Sequence, residues 1–317
     1  MNPTLSPVLQ AGRLMPWLEQ RLSECYELHI LPDEAGREAF LREEGGRFSG
    51  LVTSAGGIGA PASLIAALPS LRVISSFGVG LDRIALPAAR ERGIAVGYTP
   101  EVLNACVADM AFALLLDVAR RVSAADRFVR AGRWAAGAGF GLGRKVSGAR
   151  LGIVGLGRIG QTIARRAAGF DMAVRYHSRR PVVDAPWLHE PDLLALAHWA
   201  DYLVVITSGG AGTRHLIDAA VLDALGPQGF LVNVARGSVV DEQALVRALL
   251  ERRIAGAGLD VYEHEPAVPA ELLQLDNVLL LPHVASATQE TRQAMAELTL
   301  ANLAAGLAGD PLPAAIV

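Results

Sequence analysis

The chain has 317 residues, a formal net charge of −3 and two cysteines, Cys25 and Cys106. That length allows one or two domains with ample core, and the slightly acidic balance excludes the basic footprint of a nucleic-acid binder. Two cysteines exclude a disulfide framework, so a reduced, cytoplasmic setting with two small buried thiols is expected.

The first residues, MNPTLSPVLQAGRL, lack a basic segment followed by an apolar one, and no secretion signal is read. Short apolar runs at 5–10, 26–31, 49–54, 71–76 and 94–96 read as strands, with helical patterns between them, for example at 62–67 and 86–92. Such alternation implies a parallel sheet covered by helices. A long helix is expected from about 101 to 122, with Pro100 and Glu101 suited to its first turn. Its apolar residues run most of the way round, which predicts burial between two units. Asn104, Asp109 and Asp117 interrupt it, so it reads as a core helix and not a membrane span. A second helix over 124–131 leads into the glycine-rich 132–148, expected as a protruding loop or linker.

A second series starts at 149, with strands expected at 150–154, 173–177, 202–207, 230–235, 256–261 and 278–282, and a final helix over 289–307. Six strands with a glycine-rich turn after the first match a dinucleotide-binding sheet. The lone C-terminal helix is expected to return to the first unit, which makes that unit discontinuous.

The glycine-rich turn is Gly155-Leu156-Gly157-Arg158-Ile159-Gly160, a G-x-G-x-x-G between strand and helix. Its first glycine permits the tight turn, its second lets backbone approach a pyrophosphate, and its third permits close packing of helix on strand. Free N–H groups at the helix start favour the anion. The cofactor type is read about 20 residues on, where an acid would accept from the ribose of NAD. The chain instead shows Ser178-Arg179-Arg180, a hydroxyl and two guanidiniums that suit a 2′-phosphate. NADP(H) is therefore expected over NAD(H); the alternative is a solvated basic turn.

Three later apolar runs each end at one polar side chain: Arg236 after 230–235, Glu265 after 254–262 and His283 after 278–282. Ligands of parallel sheets bind outside the carboxyl ends of the strands. A cation, a carboxylate and an imidazole are thus expected to converge, as equipment for holding a carboxylate and moving a proton. Taken singly, each has an ordinary alternative: a surface Arg on a turn, a solvated acidic loop, a satisfied core His. His264 is a rival proton donor, and with no second His at ligand spacing no metal is expected.

Taken in order, Gly155–Gly160, Asn233-Val-Ala-Arg236-Gly, Gly258-Leu-Asp260-Val-Tyr-Glu-His-Glu265-Pro and Pro282-His283-Val-Ala-Ser-Ala-Thr resemble the D-isomer-specific 2-hydroxyacid dehydrogenases. Ser76-Phe-Gly-Val79-Gly80-Leu-Asp82 and Val107-Ala-Asp109 also fit, and the similarity spans essentially the whole chain. Within the family the chain looks most like the NADPH-preferring glyoxylate, hydroxypyruvate and hydroxyphenylpyruvate reductases.

The resemblance implies two doubly wound parallel-sheet domains of α/β class. A substrate domain of 1–98 and 286–317 is interrupted by a dinucleotide-binding domain of 99–285, with closure about hinges near 99 and 285. It further implies that Arg236 binds the 2-oxo acid, that His283 donates the proton and that Glu265 orients His283. Ala235 and Asp260 would border the cofactor, the N–H groups of Val79 and Gly80 would meet the substrate carboxylate, and the protein would be a homodimer.

Trp134 resembles an aromatic that reaches a partner subunit's pocket; its alternative is a helix-end core residue. Two departures stand out. Thr207-Ser-Gly-Gly-Ala-Gly-Thr213 replaces the usual Pro-Leu-Thr-type loop over the adenosine, and Ser54-Ala-Gly-Gly-Ile-Gly59 lacks large side chains in the substrate loop.

Glyoxylate or hydroxypyruvate is the first-choice substrate, with an aromatic or sugar-derived 2-oxo acid (hydroxyphenylpyruvate, 2-ketogluconate) second. Formate oxidation fits less well, because the formate enzymes carry Gln where Glu265 stands. A phosphoglycerate enzyme is a further alternative, although no appended regulatory domain is read after the last helix. A non-enzymatic nucleotide sensor of the same fold is the rival from another class.

Overall fold

The computed structural model describes residues 5–316, so part of the N-terminal segment read above, residues 1–4, lies outside the described residues. The chain divides into two compact units, Met1–Leu103 with Thr288–Val317, and Asn104–Ala287.

The first unit alternates β1 (Pro7–Ala11), α1 (Pro16–Cys25), β2 (Glu27–Ile30), α2 (Glu34–Glu44), β3 (Gly50–Ser54), α3 (Ala62–Ala66), β4 (Val73–Phe77), α4 (Leu86–Glu91) and β5 (Ala95–Gly97). All pairings are parallel, in the order β2-β1-β3-β4-β5. Leu9, Leu51 and Ile74 from three adjacent strands meet Leu64, Ile65 and Leu68 in its core. Each such side chain contributes about 1.5–3 kcal/mol through burial. Cys25 departs from expectation: it is the last residue of α1 and is exposed, while Cys106 is half-buried.

The second unit opens with α5 (Asn104–Arg120). The expected start at 101 is wrong by three residues, because Glu101 adopts φ 67° and turns the chain before the helix begins. The expected end at 122 also fails, because Arg121 adopts φ 57° and separates α5 from α6 (Val122–Arg130). The Asp117 carboxylate marks that break, accepting from the Ser123 N–H at 2.6 Å and its hydroxyl at 2.7 Å. Residues 131–149 form no regular element, as the glycine content predicts.

There follow β6 (Arg150–Val154), α7 (Arg158–Ala167), β7 (Ala173–His177), β8 (Leu188–His189), α8 (Leu193–Trp199), β9 (Tyr202–Val205), α9 (Ala219–Leu225), β10 (Phe230–Asn233), α10 (Glu242–Leu250), β11 (Gly256–Leu259) and β12 (Val278–Leu280). The sheet order is β12-β11-β10-β9-β6-β7-β8, parallel throughout. Six of these strands stand where the apolar runs put them; β8 escapes notice because two residues carry no periodicity. The order reverses direction between β6 and β9, the switch point at which doubly wound sheets bind nucleotides.

The last helix, α11 (Gln289–Ala308), packs on β3, β4 and β5 of the first unit. The Ser75 hydroxyl donates to the Thr299 carbonyl at 2.8 Å, and the Asn302 amide donates to the Tyr98 carbonyl at 2.9 Å. These buried polar bonds account for the return of the C-terminal helix to that sheet. Among the described residues, no helix is long and apolar enough to cross a membrane.

Candidate active site

The glycine turn lies at the carboxyl end of β6. Gly155 adopts φ 101°, and a Cβ there would stand 2.8 Å from the backbone of Thr207. A Cβ at Gly160 would stand 2.2 Å from the Gly155 carbonyl oxygen, so α7 could not come this close to the turn. Gly157, by contrast, faces open space, with nothing within 4 Å of a Cβ. Packing inside the protein accounts for the outer two glycines but not for Gly157. The turn leads directly into α7 at Arg158, so the first-turn N–H donors of a helix N-terminus follow the glycines. The donor set suits a pyrophosphate.

At the carboxyl end of β7, the buried Tyr176 accepts the Val182 N–H at 2.9 Å, and His189 Nε2 lies 2.9 Å from the Ser178 carbonyl oxygen. The turn between them is therefore shaped. Its Arg179 and Arg180 are exposed, and their guanidiniums make no hydrogen bond or ion pair among the described residues. The Ser178 hydroxyl already donates to the Arg180 carbonyl at 2.6 Å, so it is the less available of the three groups. No acidic residue stands in the stretch 176–182 that closes β7.

Because β10, β11 and β12 are parallel neighbours, their carboxyl ends share one edge of the sheet. Asn233 ends β10 with its side chain tied on both sides, accepting the Ala235 N–H at 3.0 Å and donating to the Arg236 carbonyl at 3.1 Å. This amide was not singled out from the sequence, although a lone buried polar residue closing an apolar run is a readable sign. Ala235 is buried beneath the turn, and the half-buried Arg236 donates from Nη1 to the Ala235 carbonyl at 2.8 Å.

His283 Nδ1 lies 2.8 Å from Glu265 Oε2. The other carboxylate oxygen of Glu265 accepts the Tyr262 N–H at 3.0 Å. Burial works to raise the Glu265 pKa, but the hydrogen bond and charge of His283, the Tyr262 N–H and the charge of Arg236 outweigh it and hold the carboxyl below its ordinary value. The side chains of His283 and Glu265 are 37% and 30% exposed, so a small molecule can reach the pair. With Nδ1 engaged, Nε2 is the ring nitrogen left to face a substrate.

His283 itself adopts φ 55°, a left-handed conformation that a non-glycine residue holds only when its surroundings enforce it. Asp260 supplies that enforcement. Only 1% exposed, its carboxylate accepts the N–H groups of Val284 at 2.7 Å and Ala285 at 2.9 Å, the two residues after His283. Burial raises the Asp260 pKa against the opposing pull of those two bonds and of His283. Its oxygens thus face the His283 turn. The Tyr262 phenol, pushed up to about 12 chiefly by burial, donates to the Leu281 carbonyl at 3.0 Å and ties the same two strand ends.

The remaining expected residues lie apart from this cluster in the chain. Val79 and Gly80 follow β4 in the first unit, and their N–H groups make no hydrogen bond among the described residues. Trp134 is 70% exposed, so its alternative as a core residue is excluded. His264 is exposed in the loop after β11. The structure thus brings His283 and Glu265 within hydrogen-bond distance, ties the turn after His283 to Asp260, and sets the charge of Arg236 to act on Glu265.

Comparison with known proteins identifies the family. Residues 112–285 match the family model described as D-isomer specific 2-hydroxyacid dehydrogenase, NAD binding domain. The chain is 44% identical over 310 residues to a glyoxylate/hydroxypyruvate reductase A of Arabidopsis thaliana, covering 98% of each. It is equally 44% identical over 310 residues to a hydroxyphenylpyruvate reductase of Plectranthus scutellarioides, again over 98% of each. The crystal structure of an NADPH-dependent glyoxylate/hydroxypyruvate reductase from Sinorhizobium meliloti, in complex with NADP and malonate, superposes with a TM-score of 0.91 at 42% identity, covering 98% of this chain and 96% of that one. The chain therefore belongs to the D-isomer-specific 2-hydroxyacid dehydrogenase family, as an enzyme closely related to its glyoxylate/hydroxypyruvate reductases.

Proposed function

We propose that this protein uses NADPH to reduce a small 2-oxo acid, glyoxylate or hydroxypyruvate first, to the D-2-hydroxy acid. The observation that carries the reading is the His283–Glu265 pair at 2.8 Å, at a strand end of the sheet that bears the glycine turn. Arg236 holds the substrate through its carboxylate and carbonyl, a planar fork matched to that shape. Glu265 fixes the ring by its Nδ1. Nε2 then gives its proton to the carbonyl oxygen. Bound NADPH supplies the hydride that adds to the carbonyl carbon. Asp260 keeps the His283 turn in place, while the glycine turn and α7 receive the pyrophosphate.

The preference for NADPH rests on the two exposed guanidiniums of Arg179 and Arg180 and on the lack of an acid at that strand end. The related Sinorhizobium meliloti enzyme, described as NADPH-dependent, supports it. An aromatic 2-oxo acid is the second reading, favoured by the likeness to a hydroxyphenylpyruvate reductase and by the small side chains of residues 54–59. The protein is proposed to be a homodimer in which Trp134 reaches its partner; 70% exposure of an indole is the supporting observation.

NADPH absorbance followed with glyoxylate, hydroxypyruvate and a phenyl-substituted analogue tests the assignment. Turnover is expected with at least one and is abolished in His283→Ala, with NADPH binding retained. Tight NADPH binding without turnover of any 2-oxo acid refutes it in favour of a sensor. Retained rate in His283→Ala moves the donor role to His264 or water.

A further inference from the structure

Glu263, the neighbour of the orienting loop, has no part in the chemistry above, yet its side chain is only 11% exposed and heavily engaged. Its Oε1 accepts from Arg214 Nη2 at 2.7 Å and lies 2.9 Å from His215 Nε2. Its N–H donates to Glu242 Oε2 at 3.1 Å. Burial works to raise its pKa, and His215 and Arg214 more than offset that, leaving the carboxyl below its ordinary value. Exposed ion pairs contribute little; here the carboxylate itself is largely enclosed and is shared by two side-chain donors.

Three strand-end loops meet here. His215, after β9, adopts φ 50°, and its N–H donates to the Ser238 carbonyl at 2.8 Å. Gly237, between Arg236 and Ser238, lies so close to the next loop that a Cβ would stand 1.8 Å from the Tyr262 carbonyl carbon. The turn bearing Arg236 and the peptide joining Tyr262 to Glu263 are therefore in direct backbone contact. Tyr262 in turn gives its N–H to Glu265, whose other oxygen meets His283.

We propose that Glu263, clamped by His215 and Arg214, is a positioning residue: it seats the peptide of residues 262–263 against the Arg236 turn and so sets where the Glu265 carboxylate meets His283. This rests on the role given to Glu265 and His283 above, and it extends the site to a cluster behind them.

The test is a kinetic double-mutant cycle on the full chain with NADPH and its best 2-oxo acid. His215→Ala and Glu263→Ala are expected to lower kcat about 10- to 100-fold, with the NADPH dissociation constant within about twofold. His215→Gln, which keeps a donor at that place, restores kcat to within about fivefold of the parent. In a Glu265→Gln background the His215→Ala loss shrinks to less than about threefold, because the group through which it acts is gone. A full loss persisting in that background, or unchanged kcat in both single variants, overturns the proposal. Should alanine unfold the loop, Glu263→Gln carries the same cycle: non-additivity with Glu265→Gln supports the proposal and additivity overturns it. A parent chain that turns over no 2-oxo acid overturns the reading of the site itself, whereas an active parent with indifferent variants overturns only this extension.

Discussion

Asp260→Asn is the most informative single change. The carboxylate is 1% exposed and accepts two N–H groups, from Val284 at 2.7 Å and Ala285 at 2.9 Å. An amide has one oxygen, so one N–H keeps an acceptor and the other faces an NH2 group. The variant thus loses a charge-assisted bond of about 1.5–3 kcal/mol and orphans a buried N–H at about 1–3 kcal/mol. Against this, burial already raises the Asp260 pKa, so a neutral side chain recovers part of the desolvation cost. The two effects offset in global stability, and the unfolding midpoint is expected to move little.

They do not offset in geometry. His283 has a left-handed backbone, and the two N–H groups that follow it are held, among the described residues, by Asp260 alone of the side chains. About 3 kcal/mol of lost restraint corresponds to about 10²-fold in rate. Steady-state kinetics beside a fluorescence titration of NADPH should therefore show kcat down about 10²-fold and cofactor affinity nearly unchanged. The opposite pattern, weakened NADPH with kcat preserved, would refute the reasoning and return Asp260 to the cofactor-contact role implied by family resemblance.

Arg179→Ala is expected to weaken NADPH by about 10- to 100-fold, the worth of one charged hydrogen bond, while NADH changes little; equal losses for both reject the phosphate role. Gly157→Val should leave thermal stability almost unaltered, since its Cβ meets nothing within 4 Å, while abolishing cofactor binding; an undiminished affinity would place the pyrophosphate elsewhere. Glu265 has a depressed pKa, so its hold on His283 is complete above the ordinary carboxylate range and is lost as pH falls through its folded value. The acid limb of kcat should therefore lie below that range in the parent and disappear in Glu265→Gln, and a limb that survives belongs to another group.

Much of this was legible in the residues because the signals are local. Buried parallel strands are short apolar runs, so β6 and β7 are found residue for residue at 150–154 and 173–177. The glycine turn and the three polar residues that close apolar runs announce themselves in the same way. What escaped depends on single backbone angles or on pairs distant in sequence. Glu101 and Arg121 both take left-handed conformations that no propensity foretells, and so the long helix is shorter at both ends than its apolar pattern. Two residues of β8 are a strand only because β7 lies beside them.

The amino-acid sequence alone thus determined the α/β class, the nucleotide turn, the missing acid after β7 and the identity of the cation, carboxylate and imidazole, since each is written in a contiguous stretch. Only the tertiary structure decided that Glu265 and His283 lie 2.8 Å apart, that Asp260 spends both oxygens on the turn of His283, and that Glu263 gathers Arg214 and His215 from 49 and 48 residues away. The physical reason is that a hydrogen bond is fixed by where two backbones end, and the ends of parallel strands are brought together by the sheet and not by the order of the chain.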